Sequence, residues 1–179
     1  MTMKQTQVRG GSRDRRGPNR GTVTGMVGVA NVDDDLLAKS SLSRIDYVDH
    51  FSVTHQIEAH ATAEQWARAM FGDAPDLTER LLWSGILGLR LHRSGSAQTI
   101  AGWAVTGRGE GWVRMSAASR SIDAELILRT SEGASGLATL VRYNRKGASA
   151  VWVRVSFVHR RLAPFLLRST IRSVGRHLR

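Results

Sequence analysis

"ASAVWVRVSFVHRRLAPFLLRSTIRSVGRHLR", residues 148–179, decides the fold because it reads two ways. Its first half alternates, with Val151, Val153, Val155 and Phe157 two apart as on a strand. Helical spacing serves as well: Val151, Val155, Val158, Leu162 and Phe165 follow at steps of four and three. On that projection Arg154, Arg161, Arg168, Arg172 and Arg179 collect on the other side. A stripe of this length outruns an ordinary strand, so the spacing predicts a helix over about 149–177. Pro164 has no amide hydrogen to donate and should bend it. The apolar stripe is then expected to face a core, and the arginines to face outward.

The chain upstream supplies that core. "YVDHFSVTHQIEA" (47–59) puts Phe51, Val53, His55 and Ile57 on one face at period two, a half-buried strand. "TAEQWARAMF" (62–71) opens with Thr62 and carries Gln65 three residues later, the capping box of a helix start, with Trp66, Met70 and Ala69 as its inner stripe. "GDAP" (72–75) ends it, and a second helix is expected from Asp76, with Leu77, Leu81, Trp83, Ile86 and Leu87 inward. The period then returns to two in "TIAGWAVTG", "GWVRMSAASR", "IDAELILRT" and "GLATLVRYN", four strands over 99–144. Their separators are turn-length, so an antiparallel meander follows. "GRGEG" (107–111) lacks the spacing and the following helix of a phosphate loop and reads as a hairpin turn.

Charge is divided unevenly. Of the net +11, residues 1–25 carry +5 and residues 133–179 carry +10, while residues 26–132 carry −4. Basicity at the two ends argues against a nucleic-acid-binding body, which needs a basic face on the folded part. Residues 1–40, rich in Gly and Arg and without periodicity, are expected to be a disordered basic tail, with the folded domain over 41–179. There is no cysteine, which excludes disulfides, zinc–thiolate sites and thiol nucleophiles. No apolar run reaches the roughly 18 residues needed to span a bilayer. A cytoplasmic location, with contact at the membrane periphery, is the expectation.

The order strand, two helices, meander and long helix, together with "IDYVDHF", "EQWARAMF", "LGLRL", "AGWAV" and "VHRRLAPFLLR", resembles the START-like superfamily over about residues 44–170. Lipid-transfer domains, pollen-allergen-like proteins and polyketide cyclases share its helix-grip fold, and an uncharacterised bacterial family beside them is the nearest likeness. The resemblance implies an α+β fold: a curved antiparallel sheet, two short helices, a long C-terminal helix, and an apolar cavity between sheet and helix. Five strands are read here, against the six or seven usual in that fold. The implied partner is an apolar small molecule or lipid. A cyclase or aromatase using the same cavity is the alternative.

Candidate chemistry is sparse. His159, beside the apolar stripe of the last helix, could hydrogen-bond a ligand or move a proton, although a satisfied structural histidine is the commoner case. Trp103, Trp112, Trp152 and Tyr143 are the candidate lining aromatics. Asp123 and Glu125 share a strand face, as paired carboxylates or as solvated surface. His50 and His55 point to opposite faces, so with His60 they make no metal site. No cofactor motif is present. Arg161, Arg168 and Arg172 could meet anionic lipid headgroups or stay as solvated surface. Nucleic acid ranks last, because no aromatic platform accompanies Arg142, Tyr143, Arg145 and Lys146.

Overall fold

The computed structural model describes residues 22–55, 61–72, 87–92 and 97–177. Among these, seven strands form one antiparallel sheet: β1 (Val23–Val27), β2 (Tyr47–Thr54), β3 (Thr99–Ile100), β4 (Trp103–Gly109), β5 (Trp112–Ala118), β6 (Ile122–Ser131) and β7 (Ala134–Tyr143), in the order β1-β2-β7-β6-β5-β4-β3. Three α-helices accompany them, α1 (Asp34–Leu37), α2 (Ala63–Phe71) and α3 (Ala148–His177), with a short 3₁₀ helix at Val29–Asn31. The curved sheet, the short helices and the long closing helix make an α+β helix-grip fold, as the sequence predicts. The second helix expected from Asp76 lies outside the described residues up to Ile86.

Two strands exceed the five read from sequence. The segment 99–107 is divided at Ala101–Gly102, both at positive φ (48° and 81°), the backbone of a tight hairpin turn. A Cβ on Gly102 would sit 3.0 Å from Leu91 Cβ, so this turn packs too closely for a larger residue. The other addition is β1, which pairs with β2 from Val23↔Val53 to Val27↔Asp49. The expectation of a disordered tail through residue 40 is therefore corrected for residues 22–40, while residues 1–21 lie outside the described residues.

That N-terminal segment gives the sheet a second covered face. Val32 and Leu36 pack with Val48, Ile127, Ala138 and Leu140, side chains that point away from α3. Alternation along β6 and β7 leaves one set of residues on each face, yet the middles of both strands, 124–128 and 135–141, are buried on both faces. The segment is also tied down by charge. Glu125, 1% exposed, accepts from the Ser40 hydroxyl at 2.6 Å and from the Ser41 amide at 3.2 Å. Arg114 Nε stands 3.7 Å from the same carboxylate, and its Nη1 donates to the Lys39 carbonyl at 2.6 Å. A carboxylate buried on a sheet face needs such donors to offset its desolvation.

On the concave face α2 and α3 pack against the main core. The Thr62–Gln65 capping box forms as expected, and α2 turns Trp66, Ala67, Met70 and Phe71 inward, with Ala69 exposed.

Candidate ligand cavity

α3 begins close to its predicted start and carries Pro164 within it, but it presents a different face to the sheet. Ala148, Trp152, Val155, Ala163, Leu167, Ile171 and Val174 are buried. Of the predicted stripe only Val155 is inside: Val151, Val158, Leu162 and Phe165 are 41–60% exposed. The inner face contains Ser156 and Thr170, whose hydroxyls donate back to the Val153 and Leu166 carbonyls at 3.0 and 2.9 Å and so need no other partner. Counting apolar side chains penalises that face, because self-satisfied hydroxyls and a small Ala163 score poorly although they let the helix sit close to the sheet. Register on a helix with two part-apolar faces is decided by fit, which spacing does not encode.

Between this face and the sheet lies a cavity of about 80 Å³, lined by Phe71, Leu89, Trp103, Leu126, Leu137 and Trp152 among others. Its polar end is made by Thr139 and His159, joined Oγ1 to Nε2 at 2.8 Å. Behind them is Asp49, fully buried, with Oδ1 3.4 Å from His159 Nε2. Oδ1 has no hydrogen-bond partner among the described residues, and at 3.4 Å the imidazole lies beside it without a well-formed hydrogen bond. Tyr47 donates its hydroxyl to Oδ2 at 2.6 Å. Burial, reinforced by the Asp49 carboxylate, raises the Tyr47 hydroxyl far above its ordinary pKa and keeps it a donor. The Tyr47 ring meets Trp152 edge to face at 5.2 Å, while Trp152 Nε1 is buried without a hydrogen-bond partner among the described residues.

The sequence candidates divide accordingly. Trp103, Trp152 and His159 line the cavity. Trp112 does not: it lies on the far face of β5, with Lys39 Nζ 5.9 Å from its ring centre. Tyr143 is half-buried at the end of β7, also away from the cavity lining. Asp123 and Glu125 do share a strand face, but each is taken up separately, Asp123 by Arg142 and by Asn144 Nδ2 at 2.9 Å. His50 faces the outer side of the sheet, and His55 the inner, stacked on Trp66 at 5.0 Å and hydrogen-bonded to Ser135 at 3.0 Å. His60 is outside the described residues. Arg161, Arg168 and Arg172 are exposed. Sequence reasoning missed Asp49 and Tyr47. The period-two strand could have shown them, since they alternate with Val48 on the face of Phe51 and Val53.

Among the described residues no group of three or more His, Asp or Glu could hold a metal ion. An apolar enclosure with one polar corner can hold a ligand by burial and orient it by a single hydrogen-bonding group. Comparison of the chain with family models, curated proteins and solved structures finds no match.

Proposed function

We propose that the protein binds an apolar small molecule or a single lipid chain between the sheet and α3, with a polar group of the ligand at His159 and Thr139. The observation that carries this is the apolar cavity whose one polar corner is backed by a buried carboxylate. Its volume falls below the several hundred Å³ of ordinary small-molecule sites, so a lipid chain or a ligand of ordinary size requires α3 to move away from the sheet. We propose as well that the chain is START-like, a reading that rests on its helix-grip architecture and on the residues quoted from the sequence. Native mass spectrometry of gently purified full-length protein is the test. A co-purified apolar compound, lost from a Leu126→Trp variant that fills the cavity but still folds, is the expected result. Protein that carries nothing and takes up no apolar probe would overturn the reading.

A second reading, a cyclase-type enzyme, draws on one observation: the Asp49 carboxylate beside His159 could stabilise an imidazolium formed when His159 takes a proton from bound substrate. Recovery of the co-purified compound unchanged after long incubation favours carriage. Its conversion by the wild type but not by His159→Gln favours chemistry.

A further inference from the structure

Four of the five residues that the helical spacing assigned to the core stand in solvent, and with Val153 and Phe157 they do so in a definite arrangement. Val151, Val153, Phe157, Val158, Leu162 and Phe165 are 41–64% exposed on one helix. At 100° per residue, Val151, Val158 and Phe165 form a row along α3, and Arg154, Arg161 and Arg168 form a second row about 60° away, beside the apolar row and not on the opposite side expected from the sequence. Val153 and Phe157 lie on the far side of the arginine row. Arg161 stacks its guanidinium over the Phe157 ring at 4.3 Å. Arg154, Arg161, Arg168 and Arg172 make no ion pair among the described residues, and α3 contains no acidic residue. Scattered exposed apolar residues are ordinary, but six on one helix, striped with unpaired arginines, form a contact surface.

We propose that this outward face of α3 docks onto an anionic bilayer surface. Such a surface offers what both rows need: phosphates for the guanidinium forks, and an apolar layer a few Å below for the valines, Leu162 and the two phenylalanines. A nucleic acid would satisfy the arginines and leave the apolar row in water. No helix among the described residues is long and apolar enough to cross a membrane, so α3 would lie along the surface. Leu162 belongs both to this face and to the cavity lining, so docking would bring one edge of the cavity to the lipid.

The basic N-terminal residues could also attract anionic vesicles, so the test must report on the helix itself. The chain has no cysteine, which permits one label on full-length protein at Phe165→Cys and, as control, at Glu110→Cys in the β4–β5 turn. With vesicles holding about 30% phosphatidylglycerol at low salt, the polarity-sensitive label at 165 should shift to the blue and the one at 110 should not, and pure phosphatidylcholine should give no shift. Joint replacement of Arg161, Arg168 and Arg172 by Gln should weaken partitioning about 100-fold, at about 1 kcal/mol per charge near the surface. Phe157→Ser with Phe165→Ser should weaken it while unfolding stays unchanged. Wild-type protein that ignores anionic vesicles, vesicle binding without a shift at 165, or duplex DNA displacing the vesicles from unaltered protein would each overturn the proposal.

Discussion

Tyr47 and Asp49, two residues apart on β2, form a donor–acceptor pair under α3, with the hydroxyl 2.6 Å from a carboxylate that has no solvent exposure. Removing one member leaves the other buried and short of a partner. Tyr47→Phe is therefore expected to cost about 1–3 kcal/mol. In an Asp49→Asn background the same change should cost less, since a neutral amide is less penalised by burial. A double-mutant cycle in urea measures the coupling, and equal losses in both backgrounds would contradict it.

The outer-face segment should contribute to stability although it reads as tail. Leu36 has no exposed surface, so Leu36→Ala should lower stability by about 2–5 kcal/mol. An unfolding midpoint indistinguishable from wild type would mean that residues 28–40 do not pack on the sheet in solution.

The orientation of α3 is open to a paired test. Leu167 is 1% exposed and Phe165 is 60% exposed. Leu167→Ala is expected to cost about 2–5 kcal/mol and Phe165→Ser less than about 0.5 kcal/mol. The reverse order of losses would restore the face suggested by sequence spacing.

His55 gives the pH dependence a sign. Burial against Trp66 lowers its pKa below the ordinary 6.5, so the folded state favours the neutral ring. Between the folded and unfolded values the unfolded chain binds more protons, and stability rises with pH. The contribution is thus present above about 6.5 and is lost as pH falls through the folded value. His55→Gln should flatten this part of the stability–pH curve. An unchanged slope would move its origin elsewhere, with His50, also lowered by burial, the next to replace.

Legibility followed the kind of signal. The strands over 103–143 and the Thr62–Gln65 cap were readable because period two and capping chemistry are local. The edge strand over Val23–Val27 was not, since "VTGMV" has a glycine at its centre and four of its five residues are exposed. It is ordered by pairing with β2, a partner some thirty residues on. The cavity itself was expected from resemblance, and Trp103, Trp152 and His159 reach it. Trp112 does not, because which face of a strand is concave depends on the whole sheet, and Tyr143 does not, because it shares the inner face but sits at the end of β7 beyond the lining. The period of β2 places Asp49 on the inner face, but its burial was not readable, since a carboxylate on a strand is ordinarily a surface residue.

The pairing of β2 with β7 also constrains the order in which the molecule can assemble. On a ribosome β2 emerges long before its partner, the paired positions lying 80 to 94 residues apart. The Ser40 and Ser41 donors likewise wait for Glu125, about 85 positions downstream. Until the last hairpin is made, β2 has β1 on one side and an open row of amides and carbonyls on the other, bearing Phe51 and Val53. Long-range pairing of this kind slows folding and leaves a nascent edge that neighbouring chains can capture. The finished sheet closes that edge by pairing β2 with β7 along its whole length, from Tyr47↔Val141 to Thr54↔Ala134.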